Sequence, residues 1–174
     1  MARRFETEDF PKDDGFQVSE EIGGSVQARP ELAVLPGGDF VTVWQDDRNG
    51  DLDVYARVTS KNGRSLTQDM RVNDDEGDHE QSGAIVASAP TGKFVVVWGD
   101  TRDLTRSRYT YAQFYDAEGN PVGANQKLNP EPSPETKIFP SPSAIWLPSG
   151  KFVISYLMYD RSAPVDFEHQ IWWS

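Results

Sequence analysis

The feature that most constrains this 174-residue chain is an internal repeat. Three apolar stretches begin with Phe40, Phe94 and Phe152 and read FVTVW, FVVVW and FVISY. Each stretch follows a Pro-x-Gly turn, and another short apolar run precedes each turn. The period is 54 to 58 residues. Repetition at such a spacing is typical of architectures in which every copy is one supersecondary unit stacked on the next.

Each unit reads as four strands. A Tyr-Ala run follows the Phe run at residues 54–58 and 110–114, and a Gly turn then leads to a short segment at residues 70–73 and 126–129. Residues 16–19 are a further copy of that last segment. Strands joined by short Gly-containing turns form hairpins, so each unit is predicted to be a four-stranded antiparallel meander. No stretch has a helical period, and we expect almost no helix.

The second strand of each unit is apolar on both faces. Phe94, Val96 and Trp98 lie on one face of the second unit, and Val95 and Val97 lie on the other. A sheet that is buried on both faces must lie between other sheets. The sequence therefore predicts an all-β fold, a β-propeller built of four-stranded antiparallel blades. We expect about three blades per chain, which form half of a six-bladed ring. They divide into a partial blade 1–28, blades 29–82 and 83–140, and an incomplete blade 141–174.

The repeated motif is Phe-Val-Val-x-Trp-x-Asp-x-Arg, followed by Tyr-Ala-Gln-x-Tyr/Phe-Asp-x-x-Gly. It resembles a blade repeat of secreted and cell-surface bacterial propeller proteins. Residues 94–129 match best, whereas the third unit departs at Tyr156 and at Ile171-Trp172-Trp173. The resemblance implies a secreted or cell-surface location. It implies no reaction, because one fold carries many functions.

Three blades are too few to close a ring, which takes typically four to eight. We expect a homodimer in which two half rings close one six-bladed propeller with two-fold symmetry, so that no apolar blade face remains exposed. Residues 16–19 would complete the sheet begun by residues 170–173 of the neighbouring copy. The start and the end of the chain then both offer a third-strand segment, so one copy is redundant, and residues 1–6 would swap, fray or cover an edge. A fragment of a longer chain and a monomer that closes by itself are the alternatives.

Charge and composition exclude several classes of function. The net charge of −11 repels polyanions, so nucleic acid is not an expected partner. No apolar run reaches the length of a membrane span, and the first residues lack the apolar core of a signal peptide. The absence of cysteine excludes disulfides, thiolate metal sites and cysteine nucleophiles.

The most distinctive polar motif is Asp-x-Arg, at residues 46–48 and 100–102, where the aspartate lies two residues after the tryptophan of the first and second Phe runs. The structural interpretation is an ion pair between adjacent blades, with the guanidinium stacked on the indole. The functional interpretation is a ring mouth that grips an anionic or hydroxyl-rich ligand. The candidate ligand-binding residues are Asp46, Arg48, Asp100, Arg102, Asp160 and Arg161.

Two acidic loops could suggest calcium. The loop at residues 46–53 fails the helix-loop-helix template, because Gln45 stands at the first ligand position and no Glu follows at the twelfth. The loop at residues 74–80 is denser in carboxylates but is more typical of a solvated turn. We predict no cofactor and no metal site, and a calcium ion in the acidic loops is the alternative.

These features favour a non-enzymatic propeller module that self-assembles and presents loops to a ligand, for which a carbohydrate and a protein are the candidates. One alternative is a propeller glycoside hydrolase or lyase with carboxylates at the ring mouth. Another is a purely structural or constructed half propeller. A Ser-His-Asp triad has no support, because His79 and His169 lie in distant units and no Gly-x-Ser-x-Gly motif exists. Trp146, Trp172 and Trp173 break the repeat. One interpretation is that a sugar stacks on these rings, and the favoured one is that they are core or interface residues.

Overall fold

The computed structural model describes residues 15–20, 23–103, 108–129, 136–160 and 167–173. These residues form strands and short turns. The strand bounds are β1 Gln27–Val34, β2 Phe40–Asp46, β3 Asp53–Thr59, β4 Met70–Arg71, β5 Gln81–Ser88, β6 Phe94–Asp100, β7 Tyr109–Tyr115, β8 Pro121–Lys127, β9 Thr136–Trp146, β10 Phe152–Asp160 and β11 Phe167–Trp173. One 3-10 turn, Pro36–Gly38, joins β1 to β2, and no α-helix occurs in these ranges.

The strands form three antiparallel sheets, each built from consecutive strands. The first sheet has the order β1-β2-β3-β4 and the second β5-β6-β7-β8. The third has β9, β10 and β11 in the order β11-β10-β9. The predicted all-β architecture of antiparallel meanders, four-stranded in the first two units, is confirmed.

The second strand of each meander is the most buried element, as its two-sided apolar pattern predicts. All seven residues of β6 are buried, and Val41 and Val43 of β2 are fully enclosed. One continuous apolar core runs from Val41 in the first sheet through Val96 in the second to Phe152 in the third. Burial on both faces of β6 follows from its place in the middle of this stack.

The turn before each second strand places a glycine at the same left-handed position. Gly37, Gly92 and Gly150 have φ values of 88°, 89° and 83°. The first strand of the two complete sheets also carries a β-bulge at an equivalent place. There Arg29 has φ 51° and Gly83 has φ 63°, and the pairing with the second strand shifts by one residue.

The two faces of each sheet have different neighbours. We call the face that carries Phe94, Val96 and Trp98 the preceding face, and the face that carries Val95 and Val97 the following face; equivalent positions define these faces in the other sheets. The following face of the second sheet includes Phe114, which pairs with Val95. The Phe114 ring lies 5.8 Å from the ring of Phe152 in the third sheet. Successive sheets therefore stack with following face against preceding face.

Within the described residues, each of the two outer faces of this stack is partly exposed. Leu32 and Val34, on the preceding face of the first sheet, are 60% and 62% exposed. Their equivalents in the second sheet, Val86 and Ser88, are half-buried against the first sheet. On the following face of the third sheet Ile145 is 57% exposed, whereas the equivalent Ala87 is buried. Each outer face therefore exposes positions that a neighbouring sheet covers elsewhere in the stack.

No helix within the described ranges is long and apolar enough to span a membrane.

Candidate functional site

The Asp-x-Arg motif of the second sheet lies in a cluster of four side chains. Trp98 Nε1 donates a hydrogen bond to Asp100 Oδ2 over 2.9 Å. The guanidinium of Arg102 donates to the same oxygen through Nη2 at 2.8 Å and Nε at 3.0 Å. That guanidinium also lies 4.5 Å from the ring centroid of Tyr111, and the Tyr111 ring stacks on the indole of Trp98.

The first sheet repeats this cluster at equivalent positions. Trp44 Nε1 donates to Asp46 Oδ2 at 3.1 Å, and Arg48 Nη2 donates to that oxygen at 2.6 Å. The guanidinium of Arg48 lies 4.2 Å from the ring centroid of Tyr55. Because β2 pairs with β3 in a register that sets Trp44 opposite Tyr55, the two rings meet on one face.

The observed geometry corrects the sequence-based interpretation in two respects. The guanidinium stacks on the tyrosine of the neighbouring strand, while the indole donates a hydrogen bond to the carboxylate. The Asp-x-Arg pair also lies within one sheet rather than between sheets. The inter-sheet contacts of Arg102 go to Asp74 and Asp75, which follow the last strand of the first sheet.

The charges of these clusters are held by their partners. Burial raises the pKa of Asp46, but hydrogen bonds from Arg48 and Trp44 outweigh burial and hold the pKa below its ordinary value. The hydrogen bond to Asp46 raises the pKa of Arg48 above its ordinary range. Both groups are therefore charged throughout the physiological range.

In the described part of the third sheet, no aspartate takes the position of Asp46 and Asp100. Pairing between β10 and β11 places Met158 opposite Glu168, at the position that Asp46 takes opposite Asp53 in the first sheet. Asp160 lies two residues further along β10, where it pairs with Thr136. Arg161 lies outside the described residues. Asp160 is thus not at a position equivalent to Asp46 or Asp100.

The burial of the clusters determines what they can do chemically. Asp46 and Asp100 are fully buried, and their carboxylates already accept hydrogen bonds from tryptophan and arginine. A buried carboxylate with this set of donors stabilises the junction between two strands. The arrangement offers no open face on either carboxylate for a substrate.

The acidic loops are engaged in a second polar network. Asp53 Oδ1 accepts hydrogen bonds from Arg71 and Asn73, each over 2.7 Å. Asn73 also donates to Asp75 and to Gln81, which connects the end of the first sheet to the start of the second. Within the described part of the chain, no group of three or more histidine and carboxylate side chains is placed to hold a metal ion.

One structural pair escaped the motif-based interpretation. Arg57 Nε lies 3.0 Å from Asp69 Oδ1, a close charge contact between two side chains that are each 4% exposed. The equivalent residues of the second sheet are Gln113 and Asn125, and Asn125 Nδ2 donates to Gln113 Oε1 over 2.7 Å. The repeat does contain a sequence signal for this pair. Positions 57 and 69 are Arg and Asp in the first unit, and the equivalent positions 113 and 125 are both neutral, Gln and Asn, in the second.

A cleft opens where the preceding face of the first sheet is uncovered. Its volume is about 320 Å³, and it lies between residues 17–19 on one side and β1 and β2 on the other. Leu32, Thr42 and Trp44 line it on one side, and Gln17, Val18 and Ser19 line it on the other.

Comparisons with known proteins give structural matches alone. No family model and no curated protein matches this sequence. An endo-arabinase from Bacteroides thetaiotaomicron matches with a TM-score of 0.51 and 13% identity over 83% of this chain and 55% of its own. An α-L-arabinofuranosidase from Fusarium graminearum, in complex with an iminosugar inhibitor, matches with a TM-score of 0.51 and 12% identity over 83% of this chain and 45% of its own. An α-L-arabinanase from Penicillium chrysogenum, complexed with arabinobiose, has a TM-score of 0.49 and 13% identity over 84% of this chain and 46% of its own.

The chain therefore spans about half the length of the structures it matches. At such low identity the likeness concerns the fold. The two matches above a TM-score of 0.5 and the stacked antiparallel sheets together show a β-propeller-like fold, with two four-stranded blades and a third sheet of the same kind.

Proposed function

We propose that the chain is a non-enzymatic propeller module that assembles through its two open blade faces into a closed ring and presents loops to a ligand. The observation that carries this proposal is the exposure of Leu32 and Val34 at positions that are covered in the next blade. Apolar side chains clustered on an open sheet face favour association. Two copies of a three-blade stack would give the six blades of a common ring size.

The polar clusters support a structural rather than a catalytic role. The same four residue types recur at equivalent positions of the first two blades, and each carboxylate is buried among its own donors. Catalysis by a carboxylate pair needs two groups in different environments facing one substrate. A repeated, saturated cluster instead stabilises each blade and leaves recognition to the exposed loops. The blade-repeat resemblance supports display of these loops outside the cell.

The assembly is tested by a charge placed on the open face. Leu32→Lys should convert a dimer into a monomer in multi-angle light scattering, since a buried unpaired ammonium is strongly unfavourable. Val122→Lys is the matched control, because Val122 is 52% exposed but lies on the outer strand of the second blade. A dimer that survives Leu32→Lys but not Val122→Lys would contradict the proposed surface.

The second candidate function is a carbohydrate-active propeller. The observation in its favour is the fold likeness to an endo-arabinase and an α-L-arabinofuranosidase. A glycan array that includes arabinan oligosaccharides tests binding, and chromogenic arabinofuranosides test hydrolysis. Binding without turnover supports the module. Turnover that is abolished by a single carboxylate-to-amide substitution in a loop would favour the enzyme and overturn the non-enzymatic proposal.

A further inference from the structure

A second cleft lies between the first and second blades. Its volume is about 300 Å³. Met70 and Val72 line it from the first blade, and Tyr115, Pro121 and Ala124 line it from the second. A volume of this size is at the lower end of the range for small-molecule sites. Because both blades contribute residues, the cleft belongs to the junction between them.

The equivalent position at the first blade is occupied by an aromatic ring. Phe16 is the equivalent of Met70, and its ring lies 6.3 Å from the ring of Phe40. A Cβ atom on Gly63 would lie 3.4 Å from the Phe16 ring. Met70 does not come within 4 Å of the corresponding point at Gly119, the equivalent glycine of the second blade. The ring of Phe16 therefore reaches a position that Met70 does not.

Tyr115 brings a buried hydroxyl to this cleft. The residue is 3% exposed, and its ring stacks on Phe94 with the centroids 4.6 Å apart. Within the described residues its hydroxyl has no hydrogen-bond partner, and burial raises its pKa above the ordinary value. The hydroxyl is not fully enclosed, so a molecule in the cleft can reach it. A buried polar group without a partner costs free energy that such a molecule would recover.

The amide side chains that line the cleft are already paired. Asn125 Nδ2 donates to Gln113 Oε1 over 2.7 Å and to the carbonyl oxygen of Val72 over 3.1 Å. Gln113 Nε2 donates to the carbonyl oxygen of Gly123 over 3.1 Å. Asn73 belongs to the network of the acidic loops described above. These amides therefore hold the shape of the cleft.

The charged residues of the lining are paired as well. Arg71 donates to Asp53 over 2.7 Å. The carboxylate of Asp74 accepts a hydrogen bond from Arg102. A charged ligand would lose its hydration without gaining an unpaired counter-charge from these residues, which is unfavourable. The lining thus favours an uncharged ligand with an apolar body and one group that pairs with Tyr115.

We infer that this cleft binds an uncharged monocyclic molecule with one hydroxyl group, a simple phenol in chemical class, and that Tyr115 forms the hydrogen bond to it. A six-membered ring already occupies the equivalent position at the first blade, as the side chain of Phe16. A monosaccharide fits less well, because its several hydroxyl groups would need partners that the saturated lining does not offer. The site lies within one chain, so it does not depend on the proposed ring assembly.

Phenol and toluene are suitable probes, because they match in size and differ in the hydroxyl group. Amide ¹H–¹⁵N spectra of the full chain, titrated with each probe, measure affinity and locate binding through the resonances of Gly123 and Ala124. Tyr115→Phe keeps the ring that stacks on Phe94 and removes the hydroxyl. This variant should bind phenol about 2- to 10-fold more weakly than the unmodified protein, relative to toluene.

The place of binding is tested by filling the cleft. Met70→Phe introduces the ring that Phe16 provides at the first blade, and it should abolish the binding of both probes. The control Leu66→Phe adds the same ring at a residue that is 43% exposed and does not line the cleft. This control should leave both affinities unchanged. If Met70→Phe does not fold, the affinity ratio in Tyr115→Phe decides.

Each part of the inference has its own contrary result. Resonances of Gly123 and Ala124 that shift with neither probe would overturn the site, with water then satisfying the Tyr115 hydroxyl. An unchanged ratio of phenol to toluene affinity in Tyr115→Phe would overturn the hydrogen bond. Binding that persists in a folded Met70→Phe variant would overturn the cleft as its place. Tighter binding of L-arabinose than of phenol at the same resonances would overturn the class of ligand.

Discussion

Arg102 and Asp74 join two successive blades through a hydrogen bond from Nη1 to Oδ1. Arg102 follows the second strand of the second blade, and Asp74 follows the last strand of the first. The guanidinium also holds Asp100 within its own blade. One side chain thus connects the interior of a blade to the tail of its predecessor. In the first blade, Arg48 Nη2 donates a hydrogen bond to Ser19 Oγ over 3.3 Å.

Loss of the buried carboxylate should therefore destabilise the fold. Asp100→Ala removes the acceptor of Trp98 and Arg102 and leaves a mostly buried guanidinium without its main partner. We expect the free energy of unfolding to fall by about 3–5 kcal/mol in urea titrations. Arg108→Met is the control, because its pair with Glu80 is largely exposed and should contribute about 0–1 kcal/mol. Equal effects of the two variants would show that Asp100 has no special structural role.

The stability should depend on pH through Asp74. Burial raises the pKa of Asp74, but hydrogen bonds from Arg102 and from the backbone of Asn125 outweigh burial and lower the pKa overall. A carboxyl whose pKa is lower in the folded state contributes stability above its unfolded pKa of about 3.9 and loses it as the pH falls through the folded value. In the Asp74→Asn variant, the free energy of unfolding should therefore decrease less steeply below about pH 5.

Asp51 should behave in the opposite sense. Burial and the neighbouring charges of Asp53 and Asp78 raise its pKa. Its charged form therefore costs stability above the folded pKa, and protonation relieves that cost as the pH falls. Asp51→Asn should raise the free energy of unfolding at pH 7 and make its decrease toward acidic pH steeper. Urea titrations between pH 3 and 7 measure both variants, and slopes that change in the same direction would contradict these assignments.

The ion pair between Arg57 and Asp69 should be exchangeable for the neutral pair of the second blade. Arg57→Gln alone leaves the Asp69 carboxylate, 4% exposed, without that partner and should cost about 1–3 kcal/mol. The double variant Arg57→Gln/Asp69→Asn copies Gln113 and Asn125 and should recover part of the loss. A double-mutant cycle measures the coupling, and strictly additive effects would show that the two positions act independently.

The fold could be predicted from the sequence because the repeat provides three copies of the strand pattern that can be compared with one another. Position-by-position agreement among Phe40, Phe94 and Phe152 located the second strand of each unit without any knowledge of tertiary contacts. Alternation alone then placed Trp98 and Asp100 on one face, as the structure has them.

The partner of each arginine could not be predicted in this way. Tyr55 lies eleven residues after Trp44, and only the register between β2 and β3 brings their rings together. The extra residue before Asp160 likewise becomes informative only when pairing shows Met158 at the position of Asp46. The local alternation of residues determines the face of the sheet on which each side chain lies. The contacts between side chains of neighbouring strands depend instead on loop length and register.

The bulge in β1 offers a test of backbone strain. Arg29 is an exposed residue with φ 51°, at the position where the second blade has Gly83. A non-glycine residue in this left-handed region costs about 1–2 kcal/mol. Arg29→Gly should therefore raise the free energy of unfolding by about 1 kcal/mol. The control Arg64→Gly changes an exposed loop residue outside the left-handed region and should not stabilise the protein. If Arg29→Gly lowered the free energy of unfolding as much as this control, the backbone at Arg29 would not be strained.

The mass of the unmodified protein in solution tests ring closure by two copies most directly. Sedimentation equilibrium across the micromolar range should give one species at about twice the 19.5 kDa of a single chain. Dilution should dissociate the dimer gradually. Dissociation should expose the first sheet to solvent, which binding of an apolar dye would detect. A compact particle with the mass of one chain at every concentration would contradict the assembly.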